Sequence, residues 1–367
     1  MPLTVAITGL HRGENPQPGC GIIRALRRAR KDLRIAGLVY GPYESGAYDS
    51  SLVDSVYTIP YVAAGTDVFF QRLDEIGEAE GIDIFFPTLD AEIEPLVASA
   101  DGWAERSVVP VLPDERAFKA RAKANLSGLC KRAGCPCPVT RVIEDLSPLG
   151  RETGRLERPV YVKGRHYGAR LVGDPASLFR EACRTAADWG WPILLQERIT
   201  GEEINVAGVG DGKGNCSELV SLRKCLVSAD GKGYGGVTIV NRELDGLSRS
   251  LIEDLRWRGP FELEFVRAPS GELFLIEMNP RFPAWIELAA ALGCNLPAAA
   301  LALFLGEAFP DLRPCPAGKF FIRHSVDLCG EVGDLGELST TGKLSWGPPD
   351  RLGTAGRHQN LTNAETS

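Results

Sequence analysis

The sequence predicts an α/β fold: a small parallel sheet at the start, then segments that form hairpins. Three observations carry this. Strand-like and helix-like periods alternate through the first third of the chain. Residues 193–209 read as a strand, a glycine turn and a returning strand. Residues 261–283, FELEFVRAPSGELFLIEMNPRFP, read as two strands joined by a tight turn.

Length and composition set the frame. The 367 residues suffice for two or three packed layers and two domains. Apolar content of 44% and charged content of 24% describe an ordinary globular chain. A net charge of -7 leaves no basic footprint for nucleic acid. No apolar run is long enough to span a membrane, so no membrane partner is expected. The start, MPLTVAITGL, lacks a basic segment and a cleavage site, and reads as a strand rather than a signal peptide. Ten cysteines without a secretion signal favour free thiols in a reducing compartment, so a cytoplasmic location is expected. Only Cys135 and Cys137 stand close together, and no second pair gives zinc-ligand spacing.

In the first third, residues 3–8, 33–40, 82–87 and 108–112 are strand-like. Helical patterns cover 22–31, 68–79 and 92–100. The loop 9–21 follows the first strand, where ligands bind in such sheets. It is not a dinucleotide fingerprint, because GCGIIR carries Arg24 in place of the third glycine. Asp90 and Glu92 face the same sheet edge. They fit either helix N-terminal charge or contact with an amine.

Residues 115–133 read as one strongly basic helix ended by Gly134. Apart from Lys123, its cations fit a solvated face. A short strand at 160–162 then delivers Lys163 to a loop bracketed by Gly164 and Gly168. Backbone N–H groups of such a loop can approach phosphate, and the lysine at its base neutralises charge. Past the apolar strand 193–195, the exit Gln196, Glu197, Arg198 and Ile199 can offer adenine an apolar slot with a backbone donor and acceptor. Residues 219–227 form a strand carrying Arg223 and Lys224. Either could steady a γ-phosphate or a carboxylate, and a plain surface pair fits as well. Residues 230–236 look too glycine-rich for regular structure and are expected to form a flap.

In the hairpin, Phe261, Leu263 and Phe265 alternate with Glu262, Glu264 and Val266. A four-residue loop, 269–272, sets Glu264 opposite Glu277 with β-carbons roughly 5 Å apart. Glu277 and Asn279 then share one face, with Phe274, Ile276 and Met278 on the other. Two facing carboxylates repel unless one takes a proton or a cation lies between them. Oxygen ligands from Glu264, Glu277 and Asn279 suit Mg²⁺ or Mn²⁺. Arg281 can set a guanidinium beside an anion held there, which is the requirement of phosphoryl transfer. A hairpin with two solvated glutamates is the competing reading. Helices are expected at 247–257, 284–292 and 295–307, a strand at 319–327, and a polar, loosely ordered tail from 347.

IEMNPRF after an EF strand resembles the metal-binding hairpin of the ATP-grasp superfamily, especially ligases similar to the carbamoyl-phosphate synthetase large subunit. The resemblance implies a Rossmann-like domain at 1–114 that contributes to the acceptor site. It implies a two-lobed ATP-grasp unit at 115–330, with antiparallel sheets sandwiching the nucleotide, and a C-terminal extension at 331–367. It assigns Lys123 to the nucleotide phosphates and Glu203 to the ribose hydroxyls, and makes 163–168 the phosphate loop. That loop departs from the family's Gly- and Ser-rich pattern by carrying Arg165, His166 and Tyr167. The implied reaction is ATP- and Mg²⁺-dependent joining of a carboxylate to an amine through an acyl phosphate, releasing ADP and phosphate. Amino acids or a short peptide are candidate substrates, and a homodimer is compatible. The alternatives are a nucleotide-binding regulatory or scaffold protein without this chemistry, and a synthetase whose product is the acyl phosphate itself.

Overall fold

The computed structural model describes residues 2–13, 16–147, 159–164, 169–228 and 233–346. Gly168 with its three preceding loop residues, the start of the expected flap at Asp230, and the polar tail from 347 lie outside the described residues.

The first sheet is built by strands β1 (Thr4–Ile7), β2 (Arg34–Val39), β3 (Ser55–Thr58), β4 (Ile84–Phe86) and β5 (Val109–Pro110). All pair in parallel, in the order β3-β2-β1-β4-β5. Parallel neighbours need crossovers, and helices Gly19–Ala29 and Thr66–Glu80 supply two of them. The strands are apolar at successive positions because both faces are covered. Val5, Ile7 and Ile84 pack on Ile22, Ile23 and Leu26, and Ala6 and Phe85 belong to a second cluster with Phe69, Phe70 and Trp103. β3 escaped the sequence reading because four residues carry too little period. So did helix Val332–Thr341 and strand β16 (Lys343–Ser345), which pairs antiparallel with β3 and buries Leu338 and Leu344.

A four-stranded sheet follows, in the order β6-β9-β7-β8: β6 (Thr140–Ile143), β7 (Val160–Lys163), β8 (Ala169–Val172) and β9 (Ile193–Glu197). All its pairings are antiparallel. Helix Pro175–Trp189 covers it, capped by Asp174, whose carboxylate accepts from Ser177 N–H. Its core of Ile143, Val160, Val162, Leu178, Ile193 and Leu195 is separate from the rest.

The third sheet runs β14-β13-β10-β11-β12-β15: β10 (Glu202–Asp211), β11 (Val220–Val227), β12 (Gly233–Ile239), β13 (Arg258–Arg267), β14 (Leu273–Asn279) and β15 (Phe320–Ile322). Gly233 to Gly236, expected in the flap, are strand. Its apolar face, Ile204, Val206, Phe261, Leu263 and Phe265, belongs to the same cluster as one face of the first sheet. Helices Ile286–Ala291 and Leu296–Phe304 join the other cluster beside helix Gly19–Ala29. The two sheets thus share their core.

Residues 115–133 are two helices, Glu115–Ala120 and Leu126–Ala133, separated by a turn. At this break Arg121 turns inward from the solvated face expected of it, and Lys123 reaches Glu277. In the hairpin, Glu264 does lie opposite Glu277, and Glu262 opposite Asn279. The connection is one residue longer than expected, and a register shift between Glu264 and Phe265 absorbs the excess. The bulge at Ile276 corrects the face assignment. Leu273, Leu275 and Met278 are buried, whereas Phe274 and Ile276 are half-buried.

Candidate active site

The carboxylates stand on one face of β13 and β14 because residues two apart along a strand share a face. Glu262 and Glu264 therefore project together, across from Asn279 and Glu277. Asn279 Nδ2 donates to Glu264 Oε1 at 2.9 Å and to Glu262 Oε2 at 3.1 Å. Its amide protons are thereby spent on carboxylates, which fixes Oδ1 as the atom available for a ligand. Asn205, facing Glu264 from β10, donates from Nδ2 to Glu262 Oε1 at 2.5 Å.

Cations reach this face from four directions. Lys224 on β11 lies 3.4 Å from Glu264 and 2.9 Å from Glu203. Lys123, in the break between helices, lies 3.1 Å from Glu277. Arg281, after the strand, lies 3.1 Å from Glu262 and 3.0 Å from Asp90, at the start of helix Asp90–Val97. Lys163 ends β7 in the small sheet; it is buried and donates to Gln196 Oε1 at 2.7 Å. Arg121, stacked over the Phe118 ring, donates to Met278 O at 3.1 Å.

Burial and charge oppose one another here. Burial pushes the Lys163 ammonium below its ordinary range, while the Glu277 and Glu264 charges oppose that shift. Burial acts against Lys224 too, but Glu264 and Glu203 raise it. Arg281 is raised by Asp90 and Glu262 against the burial that disfavours its charge. Burial and then the neighbouring Glu264 raise Glu262. Burial also opposes ionisation of Glu264, but Lys224 and Arg281 hold it below the ordinary carboxylate range. One face thus keeps two acids in opposite senses, the arrangement that separates acid from base roles in active sites.

The first sheet contributes at its carboxyl edge. Glu92 is buried and accepts from Thr8 Oγ1 at 2.7 Å, Tyr40 O–H at 2.8 Å and Thr88 N–H at 3.2 Å. It therefore ties the ends of β1, β2 and β4 together, two residues from Asp90. Burial raises its carboxyl to about 7, against the hydrogen bonds from Thr8 and Tyr40.

The sequence-predicted residues divide accordingly. Glu264, Glu277, Asn279, Arg281, Lys224, Glu203 and Lys123 come together, and Lys163 with Gln196 faces them from the small sheet. Arg223 does not join the cluster. It turns outward, half-exposed, and pairs with Glu202 at the rim of a cavity of about 420 Å³ that Glu203 and Lys224 also line. Glu197 N–H is already given to Val139 O, and its carboxylate accepts from Val139 N–H. Arg198 is exposed and Ile199 half-buried beyond the strand end. Gly164 closes β7. Sequence reasoning missed Glu262, although FELEF shows it on the face of Glu264. It also missed Asn205, Arg121 and the pairing of Asp90 with Arg281, which has no local pattern.

Among the described residues, no three His, Cys, Asp or Glu side chains form a metal-binding group. Two carboxylates and an amide oxygen nonetheless fit Mg²⁺, which is held by one or two carboxylates plus substrate phosphates rather than by an all-protein cage. Arg121 Nε and Asn205 Oδ1 are buried with no hydrogen-bond partner among the described residues, so the site has polar atoms unsatisfied from within.

Residues 191–320 match the family model described as ATP-grasp in the biosynthetic pathway with Ter operon. No curated protein matches the chain. Among solved structures, the biotin carboxylase domain of Hydrogenobacter thermophilus 2-oxoglutarate carboxylase superposes with a TM-score of 0.69 at 19% identity, over 86% of this chain and 73% of that one. That structure was determined with MgADP, ADP and bicarbonate. The biotin carboxylase of Campylobacter jejuni gives a TM-score of 0.69 at 15% identity, over 84% and 72%. An N5-carboxyaminoimidazole ribonucleotide synthetase in complex with ADP gives 0.64 at 14%, over 86% and 80%. Identities this low speak for the fold. The overall fold is thus that of these structures, and the ATP-grasp family model matches the segment that carries the acidic hairpin.

Proposed function

We propose that this protein is an ATP- and Mg²⁺-dependent ligase that joins a small carboxylate to an amine through an acyl phosphate. The observation that carries the reading is the register of β13 and β14. It holds Glu264 against Glu277 and Glu262 against Asn279, with Lys224, Lys123 and Arg281 paired to them. The fold neighbours solved with ADP support a bound nucleotide, which this reading puts between the small and large antiparallel sheets. Residues 1–114 would then serve as the preceding domain and 115–330 as the nucleotide-binding unit, with 331–367 as a C-terminal extension.

Glu264, Glu277 and Asn279 Oδ1 would hold Mg²⁺, or Mn²⁺, whose charge would neutralise the β- and γ-phosphates. Lys163 from the end of β7 and Lys123 from the turn between two helices would contact the phosphates. Gln196 fixes Lys163 in place. Residues Glu197 to Ile199 border the adenine and Glu203 the ribose. The Ile199 side chain and the backbone beyond Glu197 carry the adenine contact, because the Glu197 N–H is engaged. Arg281, braced by Asp90 and Glu262, holds the acid's carboxylate in line with the γ-phosphorus. Arg323 is a second guanidinium for that carboxylate. It donates to Gly233 O at 2.5 Å, burial depresses its pKa, and Glu262 lies within its field. The acid's oxygen attacks the γ-phosphorus and ADP leaves. The amine then attacks the acyl carbon, loses a proton, and phosphate leaves. No side-chain nucleophile is needed, because positioning and charge supply the acceleration.

The test is mass spectrometry of products after Mg-ATP is offered with mixed amino acids or short peptides. Bicarbonate is included as the simplest acid, since one fold neighbour is solved with it. An amide with stoichiometric ADP is expected. AMP release would mean adenylation and overturn the reading. Hydroxamate formed with hydroxylamine in place of the amine would show the acyl phosphate.

A further inference from the structure

A second cavity, of about 540 Å³, lies away from the acidic hairpin. Asp114 and Arg116, Gly212 of the β10 turn, and Asp254 to Arg258 line it. That volume suits a small-molecule ligand. Its charges are unequally committed. Asp114 is the cap of helix Glu115–Ala120 and accepts from the Arg116 and Ala117 N–H groups. Asp254 is spent on Arg132, with both oxygens 3.0 Å from Arg132 Nε. Arg116, Arg256 and Arg258, in contrast, have no carboxylate partner among the described residues. Arg258 lies over the Phe304 ring, 4.0 Å from its centroid, and burial depresses its pKa. A half-buried guanidinium without a counter-charge is what an external anion would repay. Arg256 stands at φ 47°, a conformation glycine adopts freely and arginine does not.

We propose that this cavity binds a phosphorylated small molecule carrying at least two phosphate groups. Three guanidinium forks around one space match phosphate oxygens in pairs, whereas a single carboxylate would satisfy only one of them. The site is distinct from the proposed nucleotide site, and only the second binding event expected below rests on the ligase reading. The occupant would lie at the start of helix Glu115–Ala120, which leads to Arg121 and Lys123, and at the start of β13, which leads to Glu262.

The probe is inorganic pyrophosphate, titrated calorimetrically into the full chain without nucleotide. Wild type is expected to show two binding events. The double variant Arg116→Ala/Arg256→Gly is expected to weaken one of them about tenfold or more. It should melt close to wild type, because Arg116 is exposed and glycine suits the backbone at 256. Lys163→Met should spare the arginine-dependent event. The proposal is overturned if the double variant binds as wild type does. It is equally overturned if wild type shows a single event that Lys163→Met abolishes.

Discussion

The two antiparallel sheets that face each other across the site are held in different ways. The six-stranded sheet shares its core with the first parallel sheet, through Phe261, Leu263 and Phe265 on one side and the helices Ile286–Ala291 and Leu296–Phe304 on the other. The four-stranded sheet has a small core of its own. The first arrangement makes a platform whose carboxylates cannot shift without disturbing the whole molecule. The second makes a lobe whose local unfolding need not disturb the platform. Glu264, Glu277 and Arg281 sit on the platform, and Lys163 on the lobe.

The largest test strikes the platform's chemistry. Glu277→Ala should lower turnover by about a thousandfold or more while the melting temperature stays near wild type. Steady-state kinetics with wild-type-like rates would remove Glu277 from its role. A second test sets the cores against each other. Phe261→Ala should cost about 3–5 kcal/mol and destabilise both shared-core sheets together. Leu195→Ala should cost about 2–4 kcal/mol confined to the lobe. Hydrogen exchange is the readout: in Leu195→Ala, the amides of β7 and β9 should lose protection while those of β13 keep it. Equal loss across both sheets would show one cooperative unit instead of two.

Glu92 offers a third test, at the platform's first-sheet edge. Its folded pKa, about 7, lies above the ordinary carboxyl value of 4.5. The folded chain therefore holds a proton that the unfolded chain has already released. Stability from this group is complete below about pH 4.5 and is lost as pH rises through about 7, to a total of roughly 3 kcal/mol. Glu92→Gln should flatten that fall in melting temperature between pH 5 and 8. A slope as steep as wild type's would place the titration elsewhere. The smallest effect belongs to the lobe: Lys163→Met should raise the ATP KM by about tenfold, with a smaller change in kcat.

Much of this was readable in advance, for reasons that differ between residues. The alternation FELEF and the run LFLIEMN are periodic over whole strands, so the pairing of Glu264 with Glu277 followed from the sequence. The route to it did not, since the extra connecting residue and the bulge at Ile276 cancel, and a count of residues cannot see either. Lys163 was placed correctly at a strand end because a short apolar run announced it. Arg121 was misplaced because its helix breaks where nothing in the local pattern demands a break. Asp90 and Arg281 are 191 positions apart, so only the tertiary fold could join them. Arg223 and Lys224 could not be ranked from sequence. The strand pleat decides, sending Lys224 to the acids and Arg223 outward.

The pairing of β16 with β3 has a consequence for how the protein is made. The parallel sheet is encoded almost entirely before residue 111, yet its outer rim is closed by residues 343–345. On the ribosome, β3 must therefore wait with one row of peptide groups open until more than two hundred further residues have been translated. During that interval the nascent chain carries a ready template for mispairing, and helix Val332–Thr341 with β16 acts as the late-arriving cover.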